Sequence, residues 1–469
     1  MKTLSRRKVL AVAAVAAARA LWIAAPCMAA AQNPGFAVPG GGPQTPPRIA
    51  APAMRPAADT PRPALTLRGA LARALANQAL IVQAQHQMAA QAALRKAARA
   101  DVLPSLSLAA GGIWTQTRDS EPVFVSANGA REVVGQIRLH VPVYSPSTYA
   151  LEALARAGVM TARYQEQEAR LVVAAQVSAA YYRLARLNNE ENVWRKARDA
   201  AQRLLTATQQ SYRNGIRSRL DVAQAKLTLA DAQAGLDRTV PQVQAASRVL
   251  GLEIGYAPEF PPRVSHIGPP ASALWRSAVF DVKADRMQPL LRVADSEIQA
   301  ARDTVRLRQA VRLPEVAVDG GYGLDTTAAP QARNLGWQAA VTVQMPLFGF
   351  GRERDRIDAA RERLEALEAG KNALALTIHT RIAADYGSAQ AADKSVRNER
   401  LIAREAQAVA AMTRKGYLLG TLSALALSQA ENHWVQARLA YAGAAIRARL
   451  ARTQLALDAG ILPDSEAFP

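Results

Sequence analysis

One stretch of the chain, residues 132–143, reads EVVGQIRLHVPV and changes polarity from one residue to the next. Its odd-numbered positions are mostly aliphatic, whereas Gln136, Arg138 and His140 occupy even-numbered positions. A similar alternation recurs in residues 335–345, which read LGWQAAVTVQM. Successive side chains of a strand point to opposite faces, so each segment predicts a β-strand with one apolar and one polar face.

Two further segments, residues 106–114 and 316–324, show the same alternation more weakly and bring the predicted strands to four. Strands of this kind suit a transmembrane β-barrel, and they equally suit a half-buried antiparallel sheet in a soluble domain. Four strands cannot close a barrel, because the smallest barrels have about eight. The membrane interpretation therefore requires an oligomer, and the strand pattern alone leaves both interpretations open.

The second half of the chain repeats the first at a nearly constant offset. The matched landmarks are Leu103-Pro104 with Leu313-Pro314, Val141-Pro142-Val143-Tyr144 with Met345-Pro346-Leu347-Phe348, Ala180-Tyr181-Tyr182 with Ala384-Asp385-Tyr386, and residues 212–215 with 417–420. Their common order indicates an internal duplication. Each copy is predicted to contain a helix, two strands, a long helix, a break and a returning helix.

The helices of each copy are predicted from composition and from the absence of proline. Residues 66–101 are rich in Ala, Leu, Gln and Arg and predict one helix that ends before Leu103-Pro104. Residues 147–213 and 352–415 each predict a helix that would reach about 100 Å if straight, at 1.5 Å per residue. Helices of this length favour a coiled coil or a helical barrel over a globular core, so the predicted fold is mainly α.

The N-terminal residues have the pattern of an export signal. Residues 1–31 combine a basic start, a short apolar core and small residues before Gln32, so we predict a signal peptide cleaved near Ala31. A twin-arginine route remains open, and so does lipidation at Cys27, the only cysteine. Residues 32–64 are rich in proline and predict a flexible tail.

Composition argues against an enzyme. Loss of the signal would remove the only cysteine, and with it any disulfide or thiolate chemistry, and five scattered histidines make a histidine-rich metal cluster unexpected. No nucleophile–base pair or phosphate-binding loop is recognisable, so no catalytic residue and no cofactor is predicted. The net charge of +20 is spread along the predicted helices of an exported chain, so nucleic-acid binding is not expected.

These landmarks together resemble the TolC family of outer-membrane efflux proteins, and the resemblance runs from about Leu65 to Gly460. It implies a first repeat over residues 65–260, a linker over 261–280, a second repeat over 281–460 and a C-terminal end over 461–469. It also implies a homotrimer in which four strands per protomer complete a 12-stranded transmembrane β-barrel, and long antiparallel helices form a periplasmic α-barrel.

The resemblance assigns roles to residues at the two helix breaks. Gly215 and Gly420 would form the periplasmic tips, where Gly215, Arg217, Arg219 and Gly420 would contact an adaptor protein. Asp221 and Tyr417 would hydrogen-bond between hairpins and hold the channel closed. Asp221 could equally just cap the returning helix, and each glycine could be an ordinary helix C-cap. At the positions of an acidic ring found in some family members, this chain has Ala426 and Gln429.

The function implied is a passive outer-membrane channel with a large periplasmic portion. It would be the exit duct of a tripartite efflux pump for small molecules, with a periplasmic adaptor (membrane fusion) protein, an inner-membrane transporter and outer-membrane lipid as partners. Two alternatives stay open: an exit channel for type I secretion with the same fold, and a soluble periplasmic coiled-coil protein with a structural or adaptor role. The transported substrate cannot be predicted.

Overall fold

The structure is a computed structural model that describes residues 65–118, 121–123, 131–256, 262–264, 267–270, 274, 276–326 and 335–463. The predicted signal peptide with Cys27 and the proline-rich tail lie outside the described residues, as do most of the C-terminal end and parts of the linker. All described residues belong to one compact unit, Arg62–Pro469.

Eight helices lie within the described residues, four in each copy. The first copy contains α1 (Leu67–Asn77), α2 (Ala79–Ala100), α3 (Pro146–Arg213) and α4 (Arg219–Glu253). The second contains α5 (Ser277–Met287), α6 (Pro289–Ala310), α7 (Arg352–Leu418) and α8 (Ala424–Asp458). Matched helices have 11 and 11, 22 and 22, 68 and 67, and 35 and 35 residues, so the duplication extends to helix length.

The prediction of one continuous helix over residues 66–101 is wrong at Gln78. This residue is extended, with φ −70° and ψ 129°, and separates α1 from α2. Its side-chain oxygen accepts from the backbone N–H of Ala79 at 2.9 Å, so Gln78 caps α2. Composition missed the break because no proline or glycine marks it. In the second copy, Gln288 followed by Pro289 forms the same break.

The strands form one antiparallel sheet and a small ribbon. The strands are β1 (Ser105–Trp114), β2 (Thr117–Arg118), β3 (Glu121–Pro122), β4 (Arg131–Tyr144), β5 (Glu315–Thr326) and β6 (Gly336–Gln344). The sheet has the order β1-β4-β5-β6, and β2 pairs with β3. Each repeat supplies a hairpin, and the pairing of β4 with β5 joins the two hairpins. The four predicted strands are therefore confirmed.

Small side chains fill the contacts between the long helices. Ala197 of α3, Ala232 of α4 and Val435 of α8 form one apolar cluster, and Ala403 and Ala406 of α7 form another with Ala437 of α8. Alanine at contact positions lets helix axes approach closely. Among the described residues, no helix has an apolar stretch long enough to cross a membrane.

The larger apolar clusters lie where the short helices pack on the long ones, at what we call the two roots. The first root joins α1, α3 and α4 through a cluster that includes Leu71, Val173 and Leu250. The second root joins α5, α7 and α8 through a cluster that includes Phe280 and Ile382. Each root therefore attaches a short helix to the hairpin of its own repeat.

Candidate functional site

Both helical hairpins reverse through the same turn, which we call the tip. Gly215 has φ +74° and Gly420 has φ +81°, a left-handed conformation that costs glycine little because it has no Cβ. The N–H of Ile216 donates to the carbonyl of Ser211 at 2.9 Å, and the N–H of Thr421 donates to the carbonyl of Gly416 at 2.9 Å. The tip glycines therefore end α3 and α7 with one shared backbone geometry.

Asp221 lies in the first turn of α4 and caps its own helix. The Ser218 side chain accepts from the Asp221 N–H at 3.1 Å, and the Asp221 carboxylate accepts from the Ser218 N–H at 3.0 Å. This reciprocal pair is a capping box, which satisfies two of the free N–H groups at a helix start. Within the protomer, the carboxylate thus stabilises the tip to which it belongs.

Tyr417 lies in the last turn of α7 and contacts the opposite hairpin. Its side chain is 3% exposed, and its hydroxyl lies 3.2 Å from the hydroxyl of Thr208 in α3. The guanidinium of Arg217 lies 4.0 Å from the centre of the Tyr417 ring and donates to the Tyr417 carbonyl oxygen. A cation over an aromatic face is attractive. The first tip is therefore attached to α7 at Tyr417.

The remaining tip residues form an exposed surface. Gly215, Gly420 and Arg219 are all exposed. Large apolar side chains surround them and are between 64% and 76% exposed: Ile216, Leu220, Leu418 and Leu419. Clustered exposed apolar side chains are typical of interaction surfaces. Arg414, near the end of α7, pairs with Glu431 of α8, with Arg414 Nε 3.0 Å from the carboxylate.

Polar contacts that the sequence did not predict join the two hairpins above the tips. The side-chain amide of Gln224 in α4 donates to the hydroxyl of Ser428 in α8 at 3.0 Å, and the Thr228 hydroxyl lies 3.2 Å from the same oxygen. Beyond them lies a cavity of about 390 Å³ lined by α3, α4 and α8 and by Arg414. No sequence motif marks these residues, because their partners are about 200 positions away.

The sheet has one apolar and one polar face, as the alternation predicted. On the apolar face four side chains are between 71% and 80% exposed: Leu106, Leu108, Trp337 and Val341. On the polar face His140 Nδ1 lies 2.7 Å from the Asp319 carboxylate, which also accepts from the Thr342 hydroxyl at 3.0 Å. Large apolar side chains without a covering layer fit contact with lipid.

The described residues contain no group of three or more His, Cys, Asp or Glu side chains placed to hold a metal ion. The polar side chains at the tips and above them bond to one another across the two hairpins, so the arrangement can hold the hairpins together or let them part. The geometry thus suits a mechanical role at the tips and a lipid-facing role at the sheet.

One family profile matches most of this chain. The sequence profile described as "Outer membrane efflux protein" matches residues 70–252 and 283–460. No curated protein sequence matches this chain.

Solved structures of similar fold are outer membrane proteins. The outer membrane protein VceC from Vibrio cholerae has a TM-score of 0.69 at 19% identity, covering 84% of this chain and 96% of VceC. The Campylobacter jejuni CmeC outer membrane channel has a TM-score of 0.71 at 13% identity, covering 91% and 94%. The Neisseria gonorrhoeae MtrE outer membrane channel has a TM-score of 0.67 at 18% identity, covering 84% and 89%.

Proposed function

The chain belongs to the outer membrane efflux protein family, and from that premise we propose that it forms the exit duct of a tripartite efflux pump for small molecules. It is a non-enzymatic channel protein of the outer membrane with a large periplasmic helical part. In the proposed pump, three copies join to form the duct, a periplasmic adaptor protein binds its tips, and an inner-membrane transporter supplies the energy.

The sheet carries this proposal. It has an exposed apolar face, and in the described part of the chain the outer edges of β1 and β6 pair with no further strand. Unpaired N–H and C=O groups cannot face lipid, because nothing there can replace their hydrogen bonds with water. Since four strands are too few to close a barrel, the free edges support pairing with neighbouring copies, and three copies supply twelve strands.

The tips support binding of an adaptor. The apolar side chains of Ile216, Leu220, Leu418 and Leu419 are exposed, and Arg219 has no acidic partner among the described residues. An adaptor surface with apolar pockets and acidic groups would complement this patch, and charge complementarity would favour its encounter with the tips. The Gly215 and Gly420 turns would present the patch at the ends of the hairpins.

Tyr417 and Asp221 are proposed to keep the closed form together. Tyr417 crosses to the first hairpin through Thr208 and Arg217. Asp221 holds the first tip in the shape that carries Arg217 to Tyr417, through its capping box with Ser218. Opening of the duct would then require the first tip to move away from α7.

The proposal is tested by mass and by phenotype. The protein extracted from outer membranes in detergent should have a mass near three chains. Deletion of the gene for this chain should sensitise cells to small amphiphilic toxins, and expression of the intact chain should restore resistance. A variant with Arg219→Glu and Ile216→Asp should not restore it. A soluble periplasmic monomer would overturn the channel proposal. Loss of polypeptide secretion with unchanged toxin resistance would favour the type I alternative.

A further inference from the structure

The second root contains a histidine placed between two carboxylates. His379 of α7 has Nδ1 3.1 Å from the Asp281 carboxylate and Nε2 3.1 Å from that of Asp285, both in α5. A neutral imidazole has one N–H and one lone pair, whereas a carboxylate only accepts. One of the two contacts would therefore be repulsive without a second ring proton. The geometry fits a charged imidazolium that donates to both carboxylates.

A buried carboxyl lies close by, where α8 ends. Asp458 of α8 is buried, and its Oδ1 atom accepts from Gln454 at 3.3 Å, with Arg381 of α7 at 3.8 Å. Burial first, and the neighbouring Asp385 second, raise the pKa of Asp458 from 3.8 to about 7. This carboxyl therefore belongs to the contact between α7 and α8.

The pKa of the histidine agrees with these contacts. The hydrogen bond to Asp281 is the main reason that the pKa of His379 rises above its usual 6.5, with Asp285 adding to it and partial burial opposing it. His379 therefore keeps its proton to a higher pH while α5 is packed against α7.

Other charges around the second root have partners of their own. Towards the sheet, Lys371 of α7 pairs with Asp295 of α6 at 2.5 Å. Towards the tip, Asp393 of α7 pairs with Arg452 of α8 at 2.7 Å. Lys283, on α5 between the two aspartates, has an interaction partner as well. The groups that face His379 and Asp458 directly are therefore Asp281, Asp285, Arg381 and Asp385.

The first root has neither the histidine nor its two aspartates at the matching positions. Leu71 and Leu75 stand where the second root has Asp281 and Asp285, and Ala175 stands where it has His379. All three belong to the apolar cluster of the first root or pack against it. A carboxyl at the end of the returning helix is common to both roots, since Glu253 stands where the second has Asp458. The contact of the short helix with the long helix is thus apolar in one repeat and charged in the other.

We propose that α5 is held to α7 by a proton-dependent clasp, formed by His379 between Asp281 and Asp285, which releases α5 as the pH rises. The clasp makes the attachment of the second hairpin sensitive to pH and leaves the first hairpin insensitive. It is a property of the folded chain and does not depend on what passes through the channel.

The clasp weakens as the pH rises. His379 contributes fully below its ordinary pKa of 6.5 and loses its contribution as the pH rises through its raised pKa. Attachment of α5 should therefore weaken steadily from acidic to alkaline pH.

Hydrogen exchange of the full chain in detergent tests the proposal, with α1 as the matched helix of equal length. After correction for the intrinsic pH dependence of exchange, protection of residues 277–287 should fall about three- to tenfold between pH 5 and pH 8.5, whereas that of residues 67–77 should change less than about twofold. An equal fall in both helices, or no fall in either, would overturn the proposal.

Variants test the clasp directly. The triple variant His379→Ala, Asp281→Leu, Asp285→Leu copies the first root and should abolish the pH dependence of α5 protection. Glu368→Gln, which breaks the Arg302 ion pair outside the clasp, should leave the pH dependence unchanged. A pH dependence that survives the triple variant would refute the clasp.

Discussion

The two repeats have matching helices, but the side chains that hold those helices together differ at the roots and at the tips. At the root, α1 is attached by aliphatic side chains around Leu71, whereas α5 is attached partly by charges around His379. The matched helices nevertheless have nearly equal lengths. Backbone hydrogen bonds define a helix without requiring particular side chains, so a duplicated framework persists while its packing surfaces diverge.

The tips differ in the same way. Tyr417 is 3% exposed and contacts the neighbouring hairpin, whereas the matched Tyr212 is 47% exposed. The cap Ser218 has a reciprocal partner in Asp221, whereas the matched cap Ser423 has Ala426 three residues later and accepts from its N–H alone. One tip therefore has the stronger helix start, and the other supplies the buried tyrosine.

The largest expected effect comes from exchanging root residues. Leu71→Asp places a carboxylate at a position that is 1% exposed, with no imidazole partner at Ala175. It should lower the free energy of unfolding by at least about 3 kcal/mol, since the charge is buried and the aliphatic contacts are lost. Denaturant unfolding in detergent, followed by helical circular dichroism, measures the loss.

The reverse exchange, Asp281→Leu, is the control. This position is partly exposed and lies beside an apolar cluster, so the free energy of unfolding should change by less than about 1 kcal/mol. Equal losses at the two positions would contradict the difference drawn between the roots.

A smaller effect is expected at the tyrosines. Tyr417→Phe removes the hydrogen bond to Thr208 and should cost about 1 kcal/mol, whereas Tyr212→Phe should cost almost nothing. If Tyr417 helps to keep the duct closed, Tyr417→Phe should also raise uptake of a large antibiotic through the outer membrane, as should Asp221→Ala. Unchanged uptake in both variants, with Tyr212→Phe as the reference, would remove the proposed lock.

The smallest effect is expected at the helix caps. Ala426→Asp should give the second tip the missing half of the capping box and stabilise the protein by about 0.5 kcal/mol, since a carboxylate favours a helix N-terminus. Asp221→Ala should destabilise it by a similar amount. Thermal unfolding of both variants at low ionic strength checks the signs, and shifts of the two variants in the same direction would contradict the capping role of the carboxylate.

Much of the fold was predictable because its signals are local. The alternation in residues 132–143 and 335–345 indicated two strands, and the proline-free segments indicated the long helices. The prediction failed at Gln78, where the helix break depends on contacts of one side chain. The side-chain oxygen of Gln78 accepts from the N–H of Ala79, and its amide donates to the Glu253 carboxylate at 3.0 Å. The tip glycines were visible in the sequence, but the contact of Arg217 with Tyr417 was not.

The sequence by itself determined the duplication, the nearly equal helix lengths, the two faces of the strands and the glycine turns. Each of these follows from periodicity or from the conformational freedom of a single residue. Only the tertiary structure decided which side chains meet across long separations: Arg217 with Tyr417, and His379 with Asp281 and Asp285. Those contacts depend on the rotation of each helix about its axis and on its position along the neighbouring helix. Both are set by packing of the whole assembly of helices, which no local pattern encodes.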